Sequence, residues 1–438
     1  MKYRKLRAPI STQIEITELC NNNCTYCYNH WRENTKKDFK SLTEKDLLFI
    51  VNKLIDNKIF SVTLTGGEPL IFWEDLLSAI SKLSLSGIQV SLNSNLILLE
   101  KEKARSLRNS GLKSVLVSVL STSEKIHDKI SNHQGSWQQT IKGIKVAVSE
   151  GIRVSANMVL LKQNFDCIYE TAKFLKSIGV QLFSVTKASP ALNNRNFNDL
   201  RPTRSQVKES LNLLEKIKKE LNLSVDILEC YPLCLIGDLH RFFHFARRSC
   251  TAGITTCTIS SAGEIRPCSH SDMIYGNIFK EDLIDIWEKM SDWRDGKYIP
   301  IECKRCKFID FCSGGCRMEA KYLGDICGKD PYMTSQNEII IDSTSPINHS
   351  IDNLNPGDKY VLQDNLRFRE EDFGAIVSAT LSGAILVNHD GYKILQTINL
   401  LKDFTMDDLL KRVDIDTEKL SKFIASIVKR KVISRIKI

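Results

Sequence analysis

The chain predicts an α/β fold: a partial (β/α)6 TIM barrel, then a cysteine-rich domain, then a small winged-helix-like α+β domain. Three observations carry this expectation. Between residues 11 and about 225, six short β-branched runs alternate with longer amphipathic stretches. Ten of the fourteen cysteines fall between residues 230 and 327. Beyond residue 353 the pattern changes to three short strand-like runs followed by three amphipathic helices. The expected division is therefore 1–229, 230–330, a polar linker 331–353, and 354–438.

The six barrel strands are expected at Gln13–Thr17, Ser61–Thr65, Gln89–Leu92, Ser114–Val119, Val154–Leu160 and Gln181–Thr186. Between them, LTEKDLLFIVNKLID and WQQTIKGIKVAVSEG repeat apolar residues with helical spacing, the second ending at Gly151, where a helix C-cap is expected. Catalytic groups of such barrels gather at the C-terminal ends of the strands. The loop after the first strand, LCNNNCTYCYNH, holds Cys20, Cys24 and Cys27 at C-x3-C-x2-C spacing. Three thiolates offered to a cluster that takes four leave one iron open. The same thiols completed by His30 would suit a zinc loop.

The second strand runs into TLTGGEPL. Adjacent Gly66 and Gly67 let backbone approach a ligand closely, Glu68 can accept from an ammonium group, and Pro69 fixes the exit of the turn. With the cysteine spacing before it, this stretch resembles the radical S-adenosylmethionine superfamily. The resemblance implies a 4Fe-4S cluster on Cys20, Cys24 and Cys27, with S-adenosyl-L-methionine chelating the free iron. It implies that Tyr26 lies near the adenine, and that Asn95, Ser118 and Asn157 contact the ribose or carboxylate. Lys187 could reach that carboxylate, although solvent exposure is the plainer expectation for it. Leu120 departs from the family, where many relatives carry Asp.

In the cysteine-rich stretch, Cys250 is followed by Gly263, Cys268 and then Cys303, Cys306, Cys312 and Cys316 at C-x2-C-x5-C-x3-C, with Cys327 after them. This arrangement resembles the SPASM domain of radical enzymes that modify peptides and proteins. The resemblance implies two auxiliary 4Fe-4S clusters, one on Cys250, Cys268 and Cys316 with Cys257 as fourth ligand, the other on Cys303, Cys306, Cys312 and Cys327, for three clusters in all. Without Cys257 an open iron could bind a substrate thiolate. Cys167, Cys230 and Cys234 fall outside the pattern; for Cys230 and Cys234 the choice is a hydrogen-atom donor or a plain buried residue.

Past the linker, strands are expected at Tyr360–Gln363, Ala375–Thr380 and Ala384–Asn388, then helices in HDGYKILQTINLL, FTMDDLLKRV and TEKLSKFIASIVKRK. Element order and the stretch LVNHDGYKIL resemble the small PqqD-like chaperone of pyrroloquinoline quinone biosynthesis, which implies a domain that grips a leader peptide by strand addition. A DNA-binding winged helix or a dimerisation module is the plainer alternative.

Composition narrows the rest. The 438 residues are 42% apolar with a net charge of +9, but the basic residues are interspersed with acidic ones and form no nucleic-acid signature. No apolar run is long enough for a signal peptide or a membrane span, so a cytoplasmic protein is expected. Together the resemblances imply an oxidoreductase that uses a 5′-deoxyadenosyl radical to crosslink a precursor peptide, supplied with electrons by a flavodoxin- or ferredoxin-type donor. A peptide epimerase or an anaerobic sulfatase-type maturase is the alternative enzyme. A zinc-bearing, non-catalytic peptide-binding protein is the alternative of a different class.

Overall fold

The computed structural model describes residues 5–29, 31, 38–191, 194, 196–341, 358–379 and 383–436. His30, residues 342–357 at the expected linker and domain boundary, and Thr380 lie outside the described residues. The chain divides into two compact units, Met1–Asp342 and Ser343–Ile438.

In the first unit the order is β1 (Ser11–Glu15), α1 (Glu44–Asp56), β2 (Ser61–Thr65), α2 (Trp73–Leu85), β3 (Gln89–Asn93), α3 (Lys101–Asn109), β4 (Ser114–Ser118), α4 (Glu124–Ser131), α5 (Ser136–Ser149), β5 (Arg153–Leu160), α6 (Ile168–Ser177) and β6 (Leu182–Lys187). Then follow α7 (Phe197–Leu200), α8 (Arg204–Leu221), β7 (Ser224–Asp226), α9 (Leu233–Ile236), α10 (Phe243–Ala246), β8 (Thr256–Ile259), β9 (Glu264–Arg266), β10 (Gly276–Asn277), α11 (Leu283–Lys289), α12 (Ser291–Arg294), α13 (Ile309–Cys312) and α14 (Arg317–Tyr322). The strands form one sheet in the order β10-β9-β8-β1-β2-β3-β4-β5-β6-β7. The six expected strands are its centre, and the structure adds β7 at one edge and β8, β9 and β10 at the other. These additions are runs of two to four residues, too short for periodicity to register, and β8 and β7 pair with the distant β1 and β6.

Register explains why the sheet has a dry and a polar face. Ile14, Leu64, Leu92 and Val115 lie side by side across four parallel strands, and Val117, Ala156 and Phe183 continue the row. All are buried against the helices in one core. Each large apolar side chain there contributes roughly 1.5–3 kcal/mol relative to exposure. Helix α1 shows the matching pattern: Leu47, Ile50, Val51 and Leu54 are buried at i, i+3, i+4 and i+7, after a capping box between Thr43 and Asp46. Because strand side chains alternate, the intervening residues Gln13, Glu15, Thr63, Ser91, Ser118, Asn157, Ser184 and Thr186 share the opposite, polar face.

The second unit contains β11 (Lys359–Leu362), β12 (Arg367–Glu371), β13 (Gly374–Ala379), β14 (Gly383–Val387), α15 (His389–Leu401), β15 (Asp403–Phe404), α16 (Met406–Leu410), α17 (Thr417–Lys429) and β16 (Ile433–Ile436). Its strands form two three-stranded sheets, β15-β11-β16 and β12-β13-β14. The three expected strands and three helices are all present. Strand β12, with sequence RFREE, was not expected because its charges mask the alternation, and Arg369 and Glu371 are both buried as an ion pair. Asn388 caps α15 by accepting from Gly391 N at 2.9 Å.

Candidate functional site

The polar face of the sheet ends, at the C-terminal edge of β1 to β6, beneath the loop from Leu19 to Asn29. Backbone hydrogen bonds hold that loop in place. Gly67 N donates to Thr17 O at 2.6 Å and Glu68 N to Leu19 O at 2.7 Å. The glycines are required by this approach: a Cβ at Gly67 would meet Leu19 O at 1.9 Å, and one at Gly66 would meet Thr17 O at 2.6 Å. Gly66 also sits at φ 128°, which side-chain-bearing residues rarely adopt. The pair therefore lets the second strand's turn approach the cysteine loop, where sequence had suggested approach to a ligand.

Glu68 is likewise turned inward. Its fully buried carboxylate accepts from Leu70 N at 3.0 Å, Ser94 Oγ at 2.7 Å and Asn95 N at 2.8 Å, clasping the ends of β2 and β3. Burial still pushes its pKa up, against these hydrogen bonds. Pro69 begins the short 3-10 turn Pro69–Phe72. Asn95 extends the clasp to the cysteine loop, its Nδ2 donating to Asn21 Oδ1 at 2.6 Å. Asn22 Oδ1 meets His133 Nδ1 at 2.6 Å, and Asn23 N and Thr25 N donate to Ser131 O and Ile130 O at the end of α4. Sequence reading passed over Asn21, Asn22, Ser94 and His133; the run of three asparagines before Cys24 was the available signal.

Cys20, Cys24 and Cys27 are all half-buried. Asn22 N donates to Cys20 Sγ at 3.5 Å, and Cys27 N to Cys24 O at 3.2 Å. Tyr26 meets Ser118 at the end of β4 and lies beside the Cys24 and Cys27 thiols; burial, with the charge of those thiols added, drives its phenol pKa well up. Its ring packs against the buried cluster of Leu120, Ile130, Leu161, Ala188 and Phe197. Asn157 points to the same face and accepts from Ser184 Oγ at 3.1 Å and Thr186 Oγ1 at 2.9 Å. Lys187, expected at the surface, is fully buried and pairs with Glu319 at 3.0 Å and Glu229 at 3.2 Å. Two paired carboxylates make its burial tolerable and hold its pKa well above normal.

The later cysteines fall into two groups. Cys250 and Cys316 each contact Cys230, and the Cys316 charge acts on Cys268. Cys257 is apart from them on β8, its Sγ 3.9 Å from Thr12 Oγ1. Its expected place beside Cys250 is thus not what the fold gives. Cys303 lies near Cys306, Cys312 and Cys234. Cys327 follows the neighbouring turn, its Sγ 3.7 Å from Lys297 O. Cys167 precedes α6 and packs against the helix-side core.

The turns carrying these thiols are tied by buried side chains. Arg317 donates to Tyr298 O at 3.3 Å, Ile326 O at 3.2 Å and Gly328 O at 2.8 Å, and also to Gly314 O. Asp330 Oδ2 accepts from Cys316 N at 2.8 Å, and a Cβ at Gly315 would meet that oxygen at 2.7 Å.

Iron-sulfur clusters and S-adenosylmethionine fit these residues. Burial and adjacent thiols push Cys268 up to about 12 and Cys303 up to about 11. Such thiols ionise when a cationic centre joins them. Beside the first loop, Asn21 Nδ2, Asn29 Oδ1 and Glu15 Oε1 are buried without a hydrogen-bond partner among the described residues. Among the described residues, no three His, Cys, Asp or Glu side chains close on a single metal ion.

Comparison with known proteins agrees with this geometry. Residues 14–175 match the Radical SAM superfamily, and residues 250–307 match SPASM, an iron-sulfur cluster-binding domain. The PqqA peptide cyclase of Bradyrhizobium diazoefficiens is 26% identical over 343 residues, spanning 74% of this chain and 85% of that protein. The AdoMet-dependent heme synthase of Methanosarcina barkeri is 23% identical over 342 residues, spanning 74% of this chain and 96% of that protein. The crystal structure of Streptococcus suis SuiB bound to precursor peptide SuiA superposes with a TM-score of 0.60 at 20% identity, over 74% of this chain and 75% of that one, a likeness of fold.

Proposed function

This chain is a radical S-adenosylmethionine enzyme carrying a SPASM iron-sulfur domain, and from that premise we propose that it crosslinks a ribosomally made precursor peptide. Cys20, Cys24 and Cys27 hold the first 4Fe-4S cluster, and Tyr26, Asn95, Ser118 and Asn157 line the place for S-adenosylmethionine, while Gly66, Gly67, Glu68 and Pro69 shape the turn that supports the cysteine loop. When bound, this pair supplies a 5′-deoxyadenosyl radical for hydrogen abstraction. The chain's own part is positional. Gly67 and Glu68 fix the height of the cysteine loop over the strand ends, Asn95 ties Asn21 to β3, and Ser118 orients Tyr26. Glu68 acts here as a clasp for the loop.

The observation that carries the reading is the backbone-pinned cysteine loop at the C-terminal edge of β1 to β6, above a polar sheet face. Two auxiliary clusters, for three in all, serve as an electron path, and a flavodoxin- or ferredoxin-type donor in the cytoplasm feeds the first. Among the described residues no helix is long and apolar enough to cross a membrane.

The peptide part of the reading draws support from the second unit. Strands β12 and β14 are the outer strands of their sheet, which offers an edge for strand addition. A cleft of about 950 Å³ beside β12 and α15 is lined by Phe368, Ile394 and Leu400 together with Lys393 and Arg412 and the carboxylates Asp390 and Asp414, a mixture suited to a peptide with apolar and polar side chains. A leader held there raises the local concentration of the core peptide, typically into the millimolar range for a flexible link. We propose 1–229 as barrel, 230–330 as auxiliary domain and 354–438 as PqqD-like recognition domain; of the expected linker 331–353, residues 331–341 belong with the first unit, where Tyr332 is buried and Ile340 N donates to Gly237 O at 2.9 Å.

The test is anaerobic incubation of reconstituted protein, S-adenosylmethionine, a reductant and a short precursor encoded beside this gene. A loss of about 2 Da in the peptide marks a crosslink or a sulfatase-type oxidation, which fragmentation separates. Unchanged mass in ordinary water with deuterium uptake in heavy water marks epimerisation, and zinc without cleavage marks the binding protein.

A further inference from the structure

The three thiols Cys250, Cys268 and Cys316 leave the identity of their fourth partner to the fold, and the backbone excludes Cys257. Strand β8 runs parallel to β1 in a fixed register, Cys257 beside Thr12 and Thr258 beside Gln13. Successive side chains of a strand point to opposite faces. Cys257 therefore points with Thr12 and Ile14 into the helix-covered core, where it is 1% exposed. The opposite face carries Gln13, Glu15, Thr258 and its antiparallel partner Arg266, which pairs with Glu15 and leads directly to Cys268. A one-residue slip of β8 would be needed to turn Cys257 round, and it would also expose Ile259 to the polar face.

Cys230 has the position that Cys257 lacks. Its buried thiol lies beside the thiols of Cys250 and Cys316. Its neighbours on either side are locked to the end of β6: Glu229 pairs with Lys187 at 3.2 Å and accepts from Ser189 Oγ at 2.7 Å, while Tyr231 Oη accepts from Lys187 N at 3.0 Å. Two anchored neighbours fix where the thiol points.

We propose that Cys230, in place of Cys257, is the fourth ligand of the auxiliary cluster held by Cys250, Cys268 and Cys316. This rests on the reading of that cysteine group as a cluster site. Ligation forms one iron–sulfur bond and releases the thiol proton to solvent, with no change of oxidation state. The consequence is a cluster with no iron left for a substrate thiolate, suited to electron relay.

The test uses full-length protein in which Cys20, Cys24 and Cys27 are all alanine, so that only auxiliary clusters report. This parent is expected to hold about eight irons in two clusters. Cys257→Ala should keep the iron content and the electron paramagnetic resonance spectrum of the reduced parent. Cys230→Ala should shift or remove one cluster's signal while the other stays. Because Cys230→Ala could fail to fold, thiol labelling of the parent is read in parallel: Cys230 should be alkylated only after iron is chelated, with Cys257 labelled to the same extent before and after. A Cys230→Ala spectrum identical to the parent's, a signal lost in Cys257→Ala, or Cys230 labelled while iron is bound overturns the assignment. An iron-free parent overturns the cluster reading itself, and the assignment with it.

Discussion

The loop from Leu19 to Asn29 is fastened to the strand ends and to α4 by backbone bonds together with the side chains of Asn21, Asn22 and Asn29, whereas the segment from Cys303 to Tyr332 is tied by two buried side chains, Arg317 and Asp330. In the first, Gly67 N and Glu68 N bond directly to Thr17 O and Leu19 O, and one carboxylate, Glu68, closes the clasp. In the second, a single guanidinium, Arg317, reaches the carbonyls of Tyr298, Gly314, Ile326 and Gly328, and Asp330 holds Cys316 N. A site attached to strand ends inherits the sheet's rigidity; a site assembled from turns depends on a few buried polar groups, each costly to lose. The two regions should therefore fail separately and for different substitutions.

The largest effect is expected at Gly67. A Cβ there would meet Leu19 O at 1.9 Å, so Gly67→Ala must displace the cysteine loop. Iron should fall by about four per chain, one cluster's worth, and cleavage of S-adenosylmethionine by at least about tenfold, a barrier increase of about 1.4 kcal/mol. The auxiliary iron should remain. Equal loss from all clusters would break the contrast. Arg317→Met is the complementary experiment: carbonyls left without their donor should cost about 2–4 kcal/mol, visible as a lower unfolding midpoint and lower auxiliary iron, with the first cluster retained. Glu68→Gln should cost about 1–3 kcal/mol, because an amide NH₂ would face one of the three donors that a carboxylate accepts. Reduced first-cluster occupancy with normal auxiliary iron is the expected signature.

The last prediction is read through pH and concerns α4, whose end carries part of the cysteine loop. His127 Nδ1 accepts from Leu120 N at 3.3 Å, and burial lowers its pKa to about 4. The unfolded chain binds this proton near pH 6.5. Stability from the neutral ring is fully present above that value and is lost as pH falls from 6.5 towards 4, by up to about 3 kcal/mol. Denaturant unfolding at pH 5 and pH 7 should show the decline in the wild type and a smaller one in His127→Gln; identical declines would remove His127 as the cause.

The same contrast explains how much was readable in the sequence. C-x3-C-x2-C and TLTGGEPL act locally, next to strands with clear periodicity, so both the loop and its place on the sheet could be anticipated. Roles assigned to single residues fared differently because they depend on distant partners. Gly66 and Gly67 face the chain's own backbone, Glu68 faces Ser94 and Asn95, and Lys187 is buried by Glu229 and by Glu319, more than a hundred residues away. Nothing in the local pattern of Lys187 announces that pairing. Cys257 shows the limit most clearly: its spacing fits a ligand, but strand alternation turns it to the wrong face, and that is visible only once β8 is paired with β1. Cys230 lies outside the spacing pattern and became a candidate only through its contacts.

The central claim is that Cys20, Cys24 and Cys27 support radical cleavage while the later cysteines hold further clusters. The most direct measurement is iron and sulfide content together with 5′-deoxyadenosine formation by anaerobically reconstituted wild-type protein. About twelve irons per chain, as expected for three four-iron clusters, with 5′-deoxyadenosine produced from S-adenosylmethionine, is the predicted result. Bound zinc with no cleavage would contradict it.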